Sequence, residues 1–126
     1  MKRKIKVLLS SVIVIGTITV CSIPLLAANK ATFNPYYTGT GVGSILTQTR
    51  GISATGTRYR AHCDWATGGC KITIAFQSGP STPKLGANQT HCLTRTPSSS
   101  GNINVTGSLS HGTSSGGVQA YIEKLF

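Results

Sequence analysis

An all-β fold, a small antiparallel β-sandwich or open barrel of about six strands behind an N-terminal signal peptide, is what this sequence predicts. Three observations carry that prediction. Beyond residue 28 the chain consists of short runs rich in Thr, Val and Ile, separated by Gly, Pro, Ser and Asn, which is the composition of strands and turns. Within the runs apolar and polar side chains alternate, so each run has one face for a core and one for solvent. Over the same stretch, apolar residues never recur at helical spacing for any useful length.

The N-terminus is of a different kind. Lys2, Arg3, Lys4 and Lys6 precede an apolar run from Val7 to Leu26, which is broken by Pro24 and followed by Ala27 and Ala28. A basic cluster held on the cytoplasmic side, an apolar segment that enters the bilayer and small residues at the cleavage point make a signal peptide over residues 1–28. The alternative is an uncleaved anchor, since a run of about 20 apolar residues spans a bilayer. Dilution by Ser10, Ser11, Thr17 and Thr19 and the break at Pro24 favour cleavage. Cys21 lacks a small residue directly before it and reads as part of the discarded segment. The expected product is a secreted protein with one domain, residues 29–126, whose core lies near the lower limit for unaided stability.

Taken in order, Asn29 to Tyr37 reads as a flexible arm. Strands are expected at Gly43–Arg50, Ile52–Cys63, Cys70–Gln77, Gln89–Thr96, Asn102–Ser110 and Gly117–Leu125. Ser78–Pro83 and Pro97–Gly101 have loop composition, and Ser110–Gly117 reads as a hairpin tip. The second and third strands look like an antiparallel hairpin turning at Asp64–Gly69. Pairing Cys63 with Cys70 sets Ala61 opposite Ile72, Tyr59 opposite Ile74 and Thr57 opposite Phe76. One face is then apolar and the other carries Arg58, Arg60, His62, Lys71 and Thr73. A slip of one residue would drive those charges into the core.

A Cys63–Cys70 disulfide across this hairpin would close a loop of about eight residues, worth roughly 2 to 3 kcal/mol on a chain-entropy estimate. Bridges from either cysteine to Cys92 are the competing arrangements. With the first bridge made, Cys92 is left as a free thiol, available to link two chains into a dimer.

Charge narrows the partners. Residues 1–28 hold four of the 12 Lys and Arg and neither of the two carboxylates, so a chain starting at Asn29 has 8 basic and 2 acidic side chains, about +6. Such a balance attracts an anionic surface polymer or a lipid headgroup, with nucleic acid ranking below these, and a dedicated protein receptor is the other partner the sequence allows.

Chemistry has little to work with. Asp64 and Glu123 are the only carboxylates, and Asp64 suits a turn position better than half of a catalytic pair. His62, Cys63, Cys70, His91, Cys92 and His111 are of zinc-ligand type. Adjacent strand residues point to opposite faces, so neither His-Cys dipeptide binds one ion readily, and no metal site or cofactor is expected. A Cys92–histidine nucleophile and a histidine–lysine ribonuclease both lack a supporting motif.

The favoured expectation is a non-enzymatic secreted protein that binds an anionic cell-envelope component, with antimicrobial, bacteriocin-like action as one consequence. Its binding residues would be Arg58, Arg60, His62, Trp65 and Lys71, with Trp65 exposed at the hairpin turn to stack on a sugar, enter a lipid interface or anchor a partner. A structural or interaction protein of the envelope or extracellular matrix, assembled through Cys92 or a free strand edge, is the second reading. An enzyme inhibitor presenting the Asp64–Gly69 loop is a third.

Overall fold

A computed structural model describes residues 28–126. All but the last residue of the predicted signal segment lie outside the described residues. The described residues form eight strands: β1 (Lys30–Phe33), β2 (Tyr36–Tyr37), β3 (Thr47–Ser53), β4 (Arg58–Ala66), β5 (Lys71–Phe76), β6 (Thr90–Thr94), β7 (Asn102–Ser110) and β8 (Gly116–Lys124). Every pairing between them is antiparallel. The larger sheet has the order β1-β8-β4-β6, with β2 also paired to β8, and the smaller has the order β3-β7-β5. No helix occurs among the described residues, and the two sheets face each other as in a β-sandwich.

From β3 to β8 the chain changes sheet at every connection. This overturns the predicted hairpin. β4 pairs with β6 and β8, β5 pairs with β7, and the two strands meet across the core. Alternation is satisfied equally well by a backbone neighbour or by a strand in the opposite sheet about 10 Å away, because both arrangements need one apolar face. Tyr59 on β4 therefore packs edge-on against Phe76 on β5, at 4.9 Å between ring centroids and 71° between planes. Cys63 and Cys70 are both buried and both free, so the predicted disulfide is absent. Burial pushes each thiol pKa up, and the nearby charge of Asp64 adds to the effect at Cys63.

Two further expectations need correction. The predicted N-terminal arm is part of the fold: β1 pairs with β8 from Lys30↔Glu123 to Phe33↔Ala120. Ala31 and Phe33 are buried while Lys30 and Thr32 are exposed, the same alternation as in the longer strands. The segment from Ser110 to Gly117 is no hairpin tip, since β7 and β8 belong to different sheets. It is a crossing, tied down where the Ser115 hydroxyl donates to the carbonyl of Thr38 at 2.6 Å and where His111 stacks on Tyr37.

The core joins Phe33, Tyr59, Ala61, Val118 and Ile122 of the larger sheet to Ile52, Ile72, Ile74, Val105 and Leu109 of the smaller. At the centre of β7 the sheets approach so closely that a Cβ on Gly107 would lie 2.8 Å from the Phe33 ring and 3.2 Å from Ile72. Only glycine leaves room for that ring. Tyr59, fully buried, spends its hydroxyl on the β3–β4 crossing: it donates to the Ser53 carbonyl and accepts the Gly56 N–H at 3.1 Å. Both backbone groups would otherwise be buried without partners.

Candidate binding surfaces

Arg58, Tyr59, Arg60, Ala61, His62 and Cys63 alternate along β4, so the odd-numbered members enter the core and Arg58, Arg60 and His62 face outward. By that alternation Trp65 would follow Cys63 inward. It does not, because β4 bulges: Cys63 pairs with Ala120 and Trp65 with the next residue, Gln119, which leaves Asp64 without a register partner. The extra residue reverses the phase of the strand. Trp65 is brought to the outer face, 47% exposed, while Ala66 takes the inward position opposite Val118. Trp65 thus lies within a strand, one step beyond a bulge, and not in the tight turn expected from the sequence.

The outer face of the larger sheet is ordered in rows. Lys30, Glu123, Arg60 and Cys92 lie side by side across β1, β8, β4 and β6. Thr32, Tyr121, His62 and Thr90 form the next row, with Gln119 and Trp65 beyond it. Arg60 donates to Glu123 from Nε at 3.0 Å and from its terminal nitrogen as well. Its pKa is raised, first by that hydrogen bond and then by the carboxylate charge. The His62 Nδ1 lies 2.6 Å from the Thr90 hydroxyl, and its Nε2 lies 3.6 Å from Asp64. Lys30 places its ammonium 4.3 Å above the ring of Tyr121, a cation–π contact. Among the described residues, Arg58 has no ion-pair partner.

Lys71 is separated from this group. It opens β5 in the smaller sheet, facing outward on the other side of the molecule. There it lines a cleft of about 350 Å³ with Gly69, Lys84, Ser110, His111 and Gly112. Sequence reasoning placed neither Lys84 nor His111 in a binding site, since they come from segments 27 residues apart that meet only through the fold.

Cys92 is exposed at the middle of β6, the edge strand of the larger sheet. Among the described residues, His, Cys, Asp and Glu side chains nowhere gather in a group of three that could hold a metal ion. No protein-family model matches the chain, and no curated protein matches it in sequence.

Proposed function

We propose that the mature protein is a small secreted, non-enzymatic module that binds an anionic polymer of a cell envelope through the outer face of the larger sheet. The observation that carries this reading is the β4 bulge, which turns Trp65 outward onto the face that holds Arg58, His62, Tyr121 and Lys30. An exposed indole on one face with cations and a second aromatic ring suits an extended ligand with both sugar-like apolar faces and negative charge. Export follows from residues 1–28 and attraction to anions from the basic balance of the remaining chain.

Retention on immobilised polygalacturonate, compared with an uncharged galactan, tests the reading. The wild type is expected to be held by the charged polymer and released by salt. Replacing Lys30→Ser and Arg58→Ser together should weaken binding by about tenfold with the fold intact, because both side chains are exposed. Equal retention on the two polymers, or none on either, would overturn the reading.

Cys92 supports a second reading, in which the protein assembles in the envelope or matrix. An exposed thiol on an edge strand with a free backbone side suits joining of two chains. Non-reducing electrophoresis of protein from the culture medium decides this: a reducible dimer abolished by Cys92→Ser supports it, and a monomer rejects it.

A further inference from the structure

The cleft beside Lys71 lies on the opposite side of the molecule from the Trp65 face. We propose that it is a phosphoryl-binding site, which takes a phosphate ester carried on a hydroxyl-rich chain.

Three segments build it. Lys71 and Ser110 face each other in the β5–β7 register, at the start of one strand and the end of the other. Lys84 arrives on a strap, residues 80–86, that runs along the other edge of β5. Leu85 and Ile72 exchange backbone hydrogen bonds of 2.7 and 3.0 Å, which fixes the strap. Because Leu85 is buried, its neighbour Lys84 is left on the exposed side with Lys71. His111 follows β7 directly, and its ring lies on that of Tyr37 at 3.7 Å between centroids and 11° between planes. Its Nδ1 is 2.8 Å from the carbonyl of Gly112. A carbonyl only accepts, so Nδ1 is the donor there and Nε2 is the nitrogen left for a ligand.

The charge in this cleft has no internal counterweight. Both carboxylate side chains of the protein are on the larger sheet, Glu123 paired with Arg60 and Asp64 beside His62. Lys71 and Lys84 pair with neither. Gly69 and Gly112 contribute no side chain, and a Cβ at either would touch nothing within 4 Å, so the space between the cations is open.

The choice of phosphoryl over carboxylate rests on the donors. Two ammonium groups approach as separate point donors, joined by the His111 Nε2 when the ring carries both protons, which suits the several directions of a tetrahedral phosphate. A planar carboxylate is matched better by the fork of an arginine, and the cleft has none. The chain attached to the phosphate would meet the outer face of the smaller sheet, where Thr73, Ser108, Thr106 and Thr49 follow without a charge among them. Thr49 and Thr106 already share a hydrogen bond of 3.1 Å.

The test is a titration of the purified protein with glycerol 3-phosphate and, separately, with glucuronate at the same ionic strength, followed by amide and imidazole NMR signals. Glycerol 3-phosphate is expected to give saturable shifts at Gly69, Ser110, His111 and Gly112, and glucuronate to give smaller ones. Lys71→Ser with Lys84→Ser should weaken the phosphate response by about tenfold, and Lys84→Gln alone should weaken it in the same direction. Trp65→Ala should leave it unchanged, so loss of polymer binding on the larger sheet and loss of phosphate binding here are read separately. Equal affinity for glucuronate, shifts spread over Arg58 and Arg60, or an unaltered response in the lysine variants would overturn the proposal.

Discussion

The outer faces of the two sheets are made by the same alternation and end up with different electrostatic characters. The larger sheet presents Lys30, Arg58, Arg60, His62, Trp65 and Tyr121, but it also holds Asp64 and Glu123, so part of its positive charge is cancelled in place. The smaller sheet presents mainly hydroxyls, Thr49, Thr106, Ser108 and Thr73, with Lys71 and Lys84 at one end and neither carboxylate. Counting basic residues would favour the first face as the stronger anion site. The position of the two acidic residues shifts that judgement, because net charge attracts an anion from a distance while uncancelled local charge holds it. The first face is suited to a broad ligand that also stacks on aromatic rings. The second is suited to a compact group that fits between point charges.

Both faces depend on the sandwich, so the largest expected effect comes from breaking it. Gly107→Ala would push a methyl into the Phe33 ring between the sheets and should cost about 1 to 3 kcal/mol, as overpacked cores do. Thermal denaturation checks this. A melting temperature equal to that of the wild type would mean that the sheets do not approach as described.

Glu123→Gln sharpens the contrast between the faces at smaller cost. It removes the charge that neutralises Arg60 while keeping hydrogen-bonding atoms in place. Retention on polygalacturonate should rise about two- to threefold, as expected from losing one opposing charge at a solvent-exposed site. The glycerol 3-phosphate response at His111 should stay the same.

The smallest perturbation is chemical labelling. Cys92 is exposed while Cys63 and Cys70 are buried with raised pKa values. Native monomer should take up one alkyl group promptly in the region from Ala28 onward, and three after unfolding without reductant. Two buried thiols that resist labelling in unfolded, unreduced protein would restore the disulfide. The sign of the accompanying pH effect also follows. The folded state keeps these thiols protonated to higher pH than the unfolded chain, so their contribution to stability is fully present at neutral pH. It declines as pH climbs from the usual thiol value of about 8.5 toward the raised ones.

The all-β class, the direction of each β4 side chain up to Cys63 and the limits of Asn102–Ser110 were legible, because alternation depends only on local sequence. Strand partners were not. Tyr59, Ala61, Ile72 and Ile74 are apolar on one face whether their strands pair in a hairpin or oppose each other across a core, and the chain chose the second arrangement. Cys63 and Cys70 looked like the ends of a bridge for the same reason.

The arm failed differently. Ala31 and Phe33 alternate over only four residues next to the predicted signal segment, too short a run to separate from chance. Among the site residues, Arg58, Arg60, His62 and Trp65 do share a face, but the position of Trp65 depends on a bulge that alternation alone would have denied. Lys71 was placed with them only because of the hairpin. Lys84 and His111 meet it through a strap and a crossing, neither of which leaves a periodic mark.

The most direct test of the central claim uses the chain's single tryptophan as its own reporter. Trp65 fluorescence is measured while polygalacturonate is added to the purified protein and salt is then raised. A saturable change in emission that salt reverses is the expected result, since the ring lies on the proposed binding face. Unchanged emission under conditions where the protein remains bound to the polymer would contradict the claim and move the binding surface away from the larger sheet.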